Sequence, residues 1–433
     1  MPTLLSQRVT ILRASVRLMS LFLLACTPDV EISMNRGTAG RDDDTGEPTS
    51  DVDTAEDDSG VPGHEGAQWT FLVFMNGDND LEKWALADVN EMEAVGSTDD
   101  VNIVVQVDRS ARQDDSDGDW SGARRFRVEK DQNTRSITSP VLADLGTVDS
   151  GTPQTVIDFV EWGIANYPAE RVAVVLWDHG TGWSFQPEEG QKGISDDFDA
   201  GSELSVAEGD VTEVYAAAAA ALGRPVDLVG FDACIMMAWE VAWSVAPHGK
   251  VMVASQDYEA LQGWDYTGAM ADLVANPEMS AADLGESIAF HFHEIPDSTQ
   301  SVLDLGQVPA FTAAISEVAD AVIASGAAAE VLAMATEDAQ GFDGPRSTNH
   351  DALDLLSRLS SASNDAAVDA AIEAAMALSE PLIISNYNQG GRVKNANGLT
   401  IYSPSTGSEP PIYQNAPWSA DTSWDEMIAA AAE

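Results

Sequence analysis

Basic residues are scarce in this chain. Its 433 residues carry 21 Lys and Arg against 72 Asp and Glu, a formal net charge of −51. Nucleic-acid phosphates are held by clustered Lys and Arg. The one such cluster here, Arg8, Arg13 and Arg17, sits in an N-terminal segment with another explanation, so the composition argues against a nucleic-acid partner. Cysteine is scarcer still. Cys26 and Cys234 are the only two, too few for a disulfide-stapled scaffold. Six histidines are present, and the alternation His291-Phe292-His293 has no third ligand at a recognised spacing, so no zinc site is expected. His64, His248, His291, His293 and His350 are read as structural. No internal repeat of fixed period is evident. The hydrophobic fraction of 44% is ordinary for a globular core.

What the N-terminus does contain is an address. Three arginines precede the short apolar run Leu18-Met19-Ser20-Leu21-Phe22-Leu23-Leu24, which is too short to span a bilayer and reads as the core of an export signal. The run ends in Leu23-Leu24-Ala25-Cys26, similar to the lipobox of bacterial lipoproteins, in which the cysteine becomes the lipidated first residue. Residues 1–25 are therefore expected to be a signal peptide, and Cys26 a membrane anchor in a bacterial cell envelope, at the outer membrane or cell surface. Residues 26–67 are rich in Asp, Glu, Gly, Thr, Ser and Pro, including Asp42-Asp43-Asp44, and bury too little apolar surface to fold. They read as a self-repelling tether.

Order is expected from Trp69 onward. Near-continuous apolar runs at 69–75, 101–107, 171–177, 226–231 and 251–254 have strand length and the composition of strands buried on both faces. Helix-like segments lie between them at 81–95, 153–165 and 208–222. This alternation predicts an α/β fold with a largely parallel sheet and helices on both faces, in a catalytic domain of residues 68–310. Residues 311–433, Ala-rich and helical before returning to strand-like sequence, are expected as a C-terminal accessory region packed on that domain.

In such sheets, sites form beyond the carboxyl ends of the strands. Two segments stand there: Asp178-His179-Gly180-Thr181-Gly182-Trp183 and Asp232-Ala233-Cys234. A histidine and a cysteine at neighbouring strand ends suit nucleophilic catalysis, in which a thiolate attacks and an imidazolium protonates the leaving amine. The backbone N–H groups of Gly180 and Cys234 could face the developing oxyanion. With Cys26 lipidated, Cys234 would be the one remaining thiol of an exported protein, an exposure that function would justify.

Five segments, taken in order, resemble the clostripain family of cysteine endopeptidases. They are Trp69 to Glu82, Val105-Gln106-Val107-Asp108-Arg109, Trp177 to Trp183, Gly230-Phe231-Asp232-Ala233-Cys234 and Ala254-Ser255-Gln256, with weaker likeness at Gly398 to Pro404 and Ser423 to Glu426. The resemblance implies a caspase-like fold, a His179–Cys234 dyad and cleavage after Arg or Lys in protein or peptide substrates; no third catalytic residue is expected, since His179 and local dipoles can set the thiol's acidity. Asp232 would select the basic side chain; residues i and i+2 of a strand share a face, so Asp232 and Cys234 can line one cleft. It also implies activation by cleavage between the histidine and cysteine segments, for which Lys192-Gly193 is the expected bond, since Arg224 precedes Pro225. The protein is expected as a monomer or as a self-cleaved two-chain form.

No cofactor is required for such chemistry, although the family is associated with calcium. Asp115, Asp117 and Asp119 offer hard oxygen ligands at alternate positions, but Trp120 and Phe126 stand where an EF-hand needs glycine and glutamate. Two other readings remain at this stage: a surface lipoprotein using the scaffold for binding without turnover, and a calcium-loaded adhesin built on the acidic tether.

Overall fold

The computed structural model describes residues 66–183, 193–292, 295–342, 347–405 and 411–432. The expected signal peptide, Cys26, the tether up to residue 65, and Lys192 lie outside these residues.

Thirteen strands are described: β1 (Ala67–Gly77), β2 (Val101–Arg109), β3 (Ala123–Arg127), β4 (Val141–Gly146), β5 (Ala169–Trp177), β6 (Gly193–Asp197), β7 (Ser202–Ser205), β8 (Val226–Asp232), β9 (Gly249–Ala254), β10 (Thr299–Asp304), β11 (Asn349–Asp351), β12 (Ile383–Asn388) and β13 (Thr400–Tyr402). Nine form one sheet in the order β12-β10-β9-β8-β5-β1-β2-β3-β4. The five apolar runs of the sequence are its central strands β9, β8, β5, β1 and β2, all mutually parallel. The edges are antiparallel, β3 and β4 on one side, β10 and β12 on the other.

Period-2 alternation puts each central strand into two cores. Along β1, Trp69, Phe71, Val73 and Met75 face one layer and Leu72 and Phe74 the other. The first layer is closed by helices Glu82–Glu93, Tyr266–Ala275 and Ala281–Phe292, the second by Pro153–Asn166, Asp210–Leu222 and Val308–Ser325. Local chemistry sets the helix limits. Pro153 occupies the first turn of its helix, and Gly223, at φ +67°, caps the end of Asp210–Leu222 in the left-handed region.

The expected boundary at 310/311 falls inside helix Val308–Ser325, and the residues beyond it are not a separate layer. Strand β12 pairs with β10 in the main sheet, Thr400 bridges to Ala238, and Leu332, Leu356, Trp424 and Ile428 belong to the same core as Leu72 and Val229. The helices of this region cover one another, Val308–Ser325 packing on Ala366–Met376 and Trp424–Ala430, and Ala328–Asp338 on Ala352–Ser363, and their apolar faces extend the core on that side of the sheet. Helix Val308–Ser325 lies in a stretch long and apolar enough to match a membrane span by length and composition. Its Phe311, Ile315, Val318 and Val322 are instead buried in this core.

Candidate active site

Strands β5 and β8 are parallel neighbours, and Trp177 and Asp232 are the last residues paired between them. Two residues beyond that pair on each strand stand His179 and Cys234, both nearly buried at 4% and 3% exposure. The chains stay together past the sheet, with Asp178 N–H donating to the Asp232 carbonyl at 3.3 Å. Gly180 is the point of closest approach. A Cβ there would lie 2.4 Å from the Cys234 carbonyl oxygen and 3.0 Å from the Cys234 nitrogen, so only glycine fits. Immediately after Cys234, Ile235 adopts φ +61°, a costly conformation for a β-branched residue. Its N–H donates to the Asp257 carbonyl, which holds the sharp turn and leaves Cys234 at the strand tip. The Cys234 Sγ accepts from the Glu259 N–H at 3.2 Å. The species able to attack is the reduced thiolate of Cys234.

A third side chain joins the pair, where the sequence suggested none. His179 Nε2 is 2.8 Å from Asp80 Oδ1 in the loop after β1, and His179 Nδ1 is buried without a hydrogen-bond partner. A proton on Nε2, donated to the carboxylate, leaves Nδ1 with its lone pair available as base. The loop carrying Asp80 is itself fixed. Asn79 donates to Asp178 Oδ1 at 2.7 Å and to the Asp196 carbonyl at 2.9 Å, and Asp196 N–H donates to Asp178 Oδ2. Asp178 thus ties loop and strand together; burial pushes its carboxyl well above the usual range.

Below the pair lies a small cleft lined by Leu81, Trp177, Asp232, Cys234, Glu259 and Gly263. Its floor is acidic. Asp232 Oδ2 accepts from Tyr266 Oη at 2.9 Å and from Trp264 N–H at 3.3 Å, and a side-chain hydrogen bond joins Asp232 to Glu259. A Cβ on Gly263, at φ +59°, would lie 3.0 Å from Asp232 and 3.2 Å from Asp88, so glycine keeps space open between two carboxylates. Burial raises Asp232 from its ordinary 3.8 to about 6. Burial, followed by repulsion from Asp232, pushes Asp88 and Glu259 well above their usual values. Burial and the Asp232 charge thus bias Asp88 and Glu259 toward their neutral forms, and an incoming cation would favour their ionisation. Glu259 and Asp88 escaped the sequence reading. Glu259 follows the end of β9, where the strand-end rule could have found it, whereas Asp88 comes from a helix face and gave no signal.

The profile of the clostripain family matches residues 73–430. The chain belongs to the clostripain family. It is 25% identical to the clostripain of Hathewaya histolytica over 193 residues, 41% of this chain, and spans only 36% of the length of that relative. Its fold is similar to a secreted C11 cysteine protease from Bacteroides thetaiotaomicron solved with an irreversible peptide inhibitor, at 20% identity and TM-score 0.64 over 83% of this chain and 100% of the other. It is also similar to an inactive zymogen C11 protease from Parabacteroides distasonis, at 20% identity and TM-score 0.59 over 82% and 98%.

Other sequence candidates in this clostripain-family chain fare differently. Gly193 opens β6 and is buried, while Lys192 lies outside the described residues. Arg224 is pinned by Asp227 at 2.6 Å and by the Glu170 carbonyl. Asp115, Asp117 and Asp119 do not converge. Asp117 is turned onto Trp120 Nε1 and Ile137 N–H, because Asp117, Gly118 and Asp119 all take positive φ and fold the loop on itself. Among the described residues, the acidic groups whose ligand atoms lie close enough together to share a metal ion are Asp78, Asp108 and Asp197.

Proposed function

We propose that this chain is a cysteine endopeptidase that cleaves peptide bonds after Arg or Lys. The observation that carries the reading is the placement of His179 and Cys234 two residues beyond a registered strand pair, with Cys234 lining a cleft that also holds Asp232 and Glu259 and has Asp88 beside its Gly263. The Cys234 thiolate attacks the scissile carbonyl carbon, and the N–H groups of Gly180 and Cys234 receive the oxyanion. The protonated His179 gives its proton to the leaving amine as the C–N bond breaks. A water molecule, deprotonated by His179, then hydrolyses the thioester and restores the thiol. Asp80 is a positioning residue: it holds the imidazole ring and its tautomer.

The preference for Arg or Lys follows from electrostatics. A guanidinium or ammonium entering the cleft lets its carboxyls ionise, whereas a neutral side chain leaves buried acids unpaired. Export and lipidation at Cys26 are part of the same proposal; the N-terminal sequence supports both, and similarity to a secreted C11 cysteine protease supports export. So is activation by cutting at Lys192-Gly193, supported by the pinned Arg224, which leaves Lys192 as the other basic residue of the interval. Gly193 is buried, so cutting requires the first residue of β6 to fray.

The test is hydrolysis of fluorogenic peptides ending in Arg, Lys, Asn or Asp by the full chain in reducing buffer, with Cys234→Ala alongside and N-terminal sequencing of both. Cleavage after Arg and Lys that vanishes in the variant, with a new N-terminus at Gly193 only in the parent, is expected. Failure to cleave any peptide by reduced, folded protein already cut at Lys192-Gly193 would leave the binding-scaffold reading in its place.

A further inference from the structure

The turn that carries the nucleophile is held by the loop after β9. Three backbone groups of residues 255–260 reach the cysteine segment. The Ser255 carbonyl accepts from Met237 N–H at 2.8 Å, the Asp257 carbonyl accepts from Ile235 N–H at 3.0 Å, and Glu259 N–H donates to Cys234 Sγ at 3.2 Å. An N–H aimed at sulfur favours the thiolate over the thiol. The acidity of Cys234 therefore depends on where this loop lies.

The loop is fastened in turn by residues 389–399, between β12 and β13. Gln256 is fully buried; its Oε1 accepts from Gly398 N–H at 2.7 Å and its Nε2 donates to Asp351 Oδ2 at 3.0 Å. The neighbouring Asp257, also fully buried, pairs with Arg392 at 2.5 Å. Burial raises the Asp257 carboxyl from 3.8 to about 6, and the Arg392 charge pulls the other way. Arg392 is half exposed, donates to the Asp297 carbonyl at 3.1 Å, and sits on an anchored segment. On one side of it Gln389 N–H donates to the Ser298 carbonyl; on the other, Val393 and Ala396 are buried against Phe342. In a chain with 21 cationic side chains against 72 carboxyls, Arg392 is, among the described residues, the one Lys or Arg paired with a carboxyl of this loop.

We propose that Arg392 is a positioning residue for the nucleophile: its ion pair with Asp257 clamps the loop after β9 so that Glu259 N–H stays on Cys234 Sγ and the thiolate is stabilised. The action is indirect, passing from the β12–β13 segment through Asp257 to the cysteine turn. Residues beyond 311 thereby take part in the chemistry of a dyad that lies wholly before residue 235. Without the guanidinium, a buried carboxyl loses its counter-charge and either takes up a proton or moves toward water. In both cases the clamp is lost. The catalytic consequence rests on the peptidase reading; the effect on thiol acidity does not.

The experiment measures the rate at which iodoacetamide alkylates Cys234 as a function of pH, followed on the Cys234 peptide by mass spectrometry, in the reduced full-length chain. Parent, Arg392→Gln, Arg392→Lys and Asp257→Ala are compared, with Tm for each and kcat on an Arg peptide. Alkylation needs no turnover, so it stands or falls apart from the peptidase assignment. The groups beside Cys234, His179 on the neighbouring strand end and Asp232 and Glu259 in the cleft, are the same in all four chains. The alkylation midpoint should rise by about one pH unit in Arg392→Gln, and rise also in Asp257→Ala, with kcat lowered at least about tenfold in both. Arg392→Lys, which keeps the charge, should retain the parental midpoint. Because Arg392 is half exposed, Arg392→Gln should melt close to the parent, which shows that it folds. A direct effect of charge on the thiol would move Arg392→Gln and Asp257→Ala in opposite directions, since one loses a positive and the other a negative charge. Opposite shifts overturn the positioning role, as does an unchanged midpoint in Arg392→Gln. A loss in Arg392→Lys equal to that in Arg392→Gln overturns the ion pair as its cause.

Discussion

Asp80 Oδ1 and His179 Nε2, 2.8 Å apart, join the loop after β1 to the loop after β5. The two strands are adjacent in the sheet, and Met75 pairs with Trp177 near their carboxyl ends. The parallel architecture thus delivers a carboxylate to the far side of the imidazole from the nitrogen that has no partner. The carboxylate is 39% exposed, so its contribution is one of orientation, weakened by solvent.

Replacing Asp80 with Asn should therefore lower kcat about 10- to 100-fold and leave KM nearly unchanged. The ring could then adopt the wrong tautomer, a defect that costs up to about 10⁴-fold where the carboxylate is buried. Steady-state kinetics on an Arg peptide would check this, and an equal loss in Asp80→Glu and Asp80→Asn would mean that charge is not the operative property.

Gly180→Ala tests the backbone geometry at the dyad. Its methyl would stand 2.4 Å from the Cys234 carbonyl oxygen, and relief requires the histidine and cysteine loops to separate. Because Gly180 N–H is also assigned to the oxyanion, kcat should fall by at least about 100-fold. Circular dichroism and Tm should show a folded protein, since the clash lies beyond the sheet. Wild-type turnover from Gly180→Ala would rule out this placement.

The empty protein should lose stability as pH rises. Burial lifts Asp232 and Asp78 from 3.8 to about 6, Asp108 from 3.8 to about 7 and Glu240 from 4.5 to about 7. Between about pH 4 and 7 the folded chain therefore holds protons that the unfolded chain has released. Stability conferred by these raised groups is complete below about pH 4 and is lost as pH climbs through 6 and 7. Asp114, Asp272 and Asp283 are lowered by hydrogen bonds and act in the opposite sense only below their ordinary 3.8, outside that window. Tm should fall from pH 5 to pH 8, with a flatter slope when an Arg-containing peptide aldehyde is present. A Tm that rises across this range would contradict the assigned shifts.

Much of this architecture was legible in the sequence because two-faced burial leaves an unmistakable mark. The five central strands are the five apolar runs, and the strand-end rule pointed directly at His179 and Cys234. The edge strands were not legible: β4, at Val141–Gly146, is largely exposed and carries no apolar pattern, and β12 joins the sheet from 80 residues beyond β10. Convergence through space was hidden for the same reason. Asp78, Asp108 and Asp197 are spread over 120 residues, whereas the tight Asp114–Asp119 run looked like a ligand set and is pulled apart by its own turns. Asp80 stood in a segment already singled out, but nothing in its spacing from His179 foretold contact.

Substitutions in the cleft bear most directly on substrate choice. Asp232→Asn removes the most acidic of three buried carboxyls, and kcat/KM for Arg and Lys peptides should fall about 10²- to 10³-fold, equivalent to about 3–4 kcal/mol. Glu259→Gln should act differently. Burial and the neighbouring Asp232 charge keep Glu259 protonated in the empty cleft, so glutamine resembles the resting state and Tm at pH 6 should hardly change. What glutamine cannot do is ionise when a guanidinium arrives. The variant should raise KM for Arg peptides about tenfold at pH 8 and less at pH 6, where the parent also pays the cost of releasing that proton. The parent's KM should accordingly improve with rising pH, and that improvement should shrink in Glu259→Gln. Parallel KM–pH profiles for parent and variant would show that Glu259 keeps its proton with substrate bound, leaving Asp232 as the counter-ion.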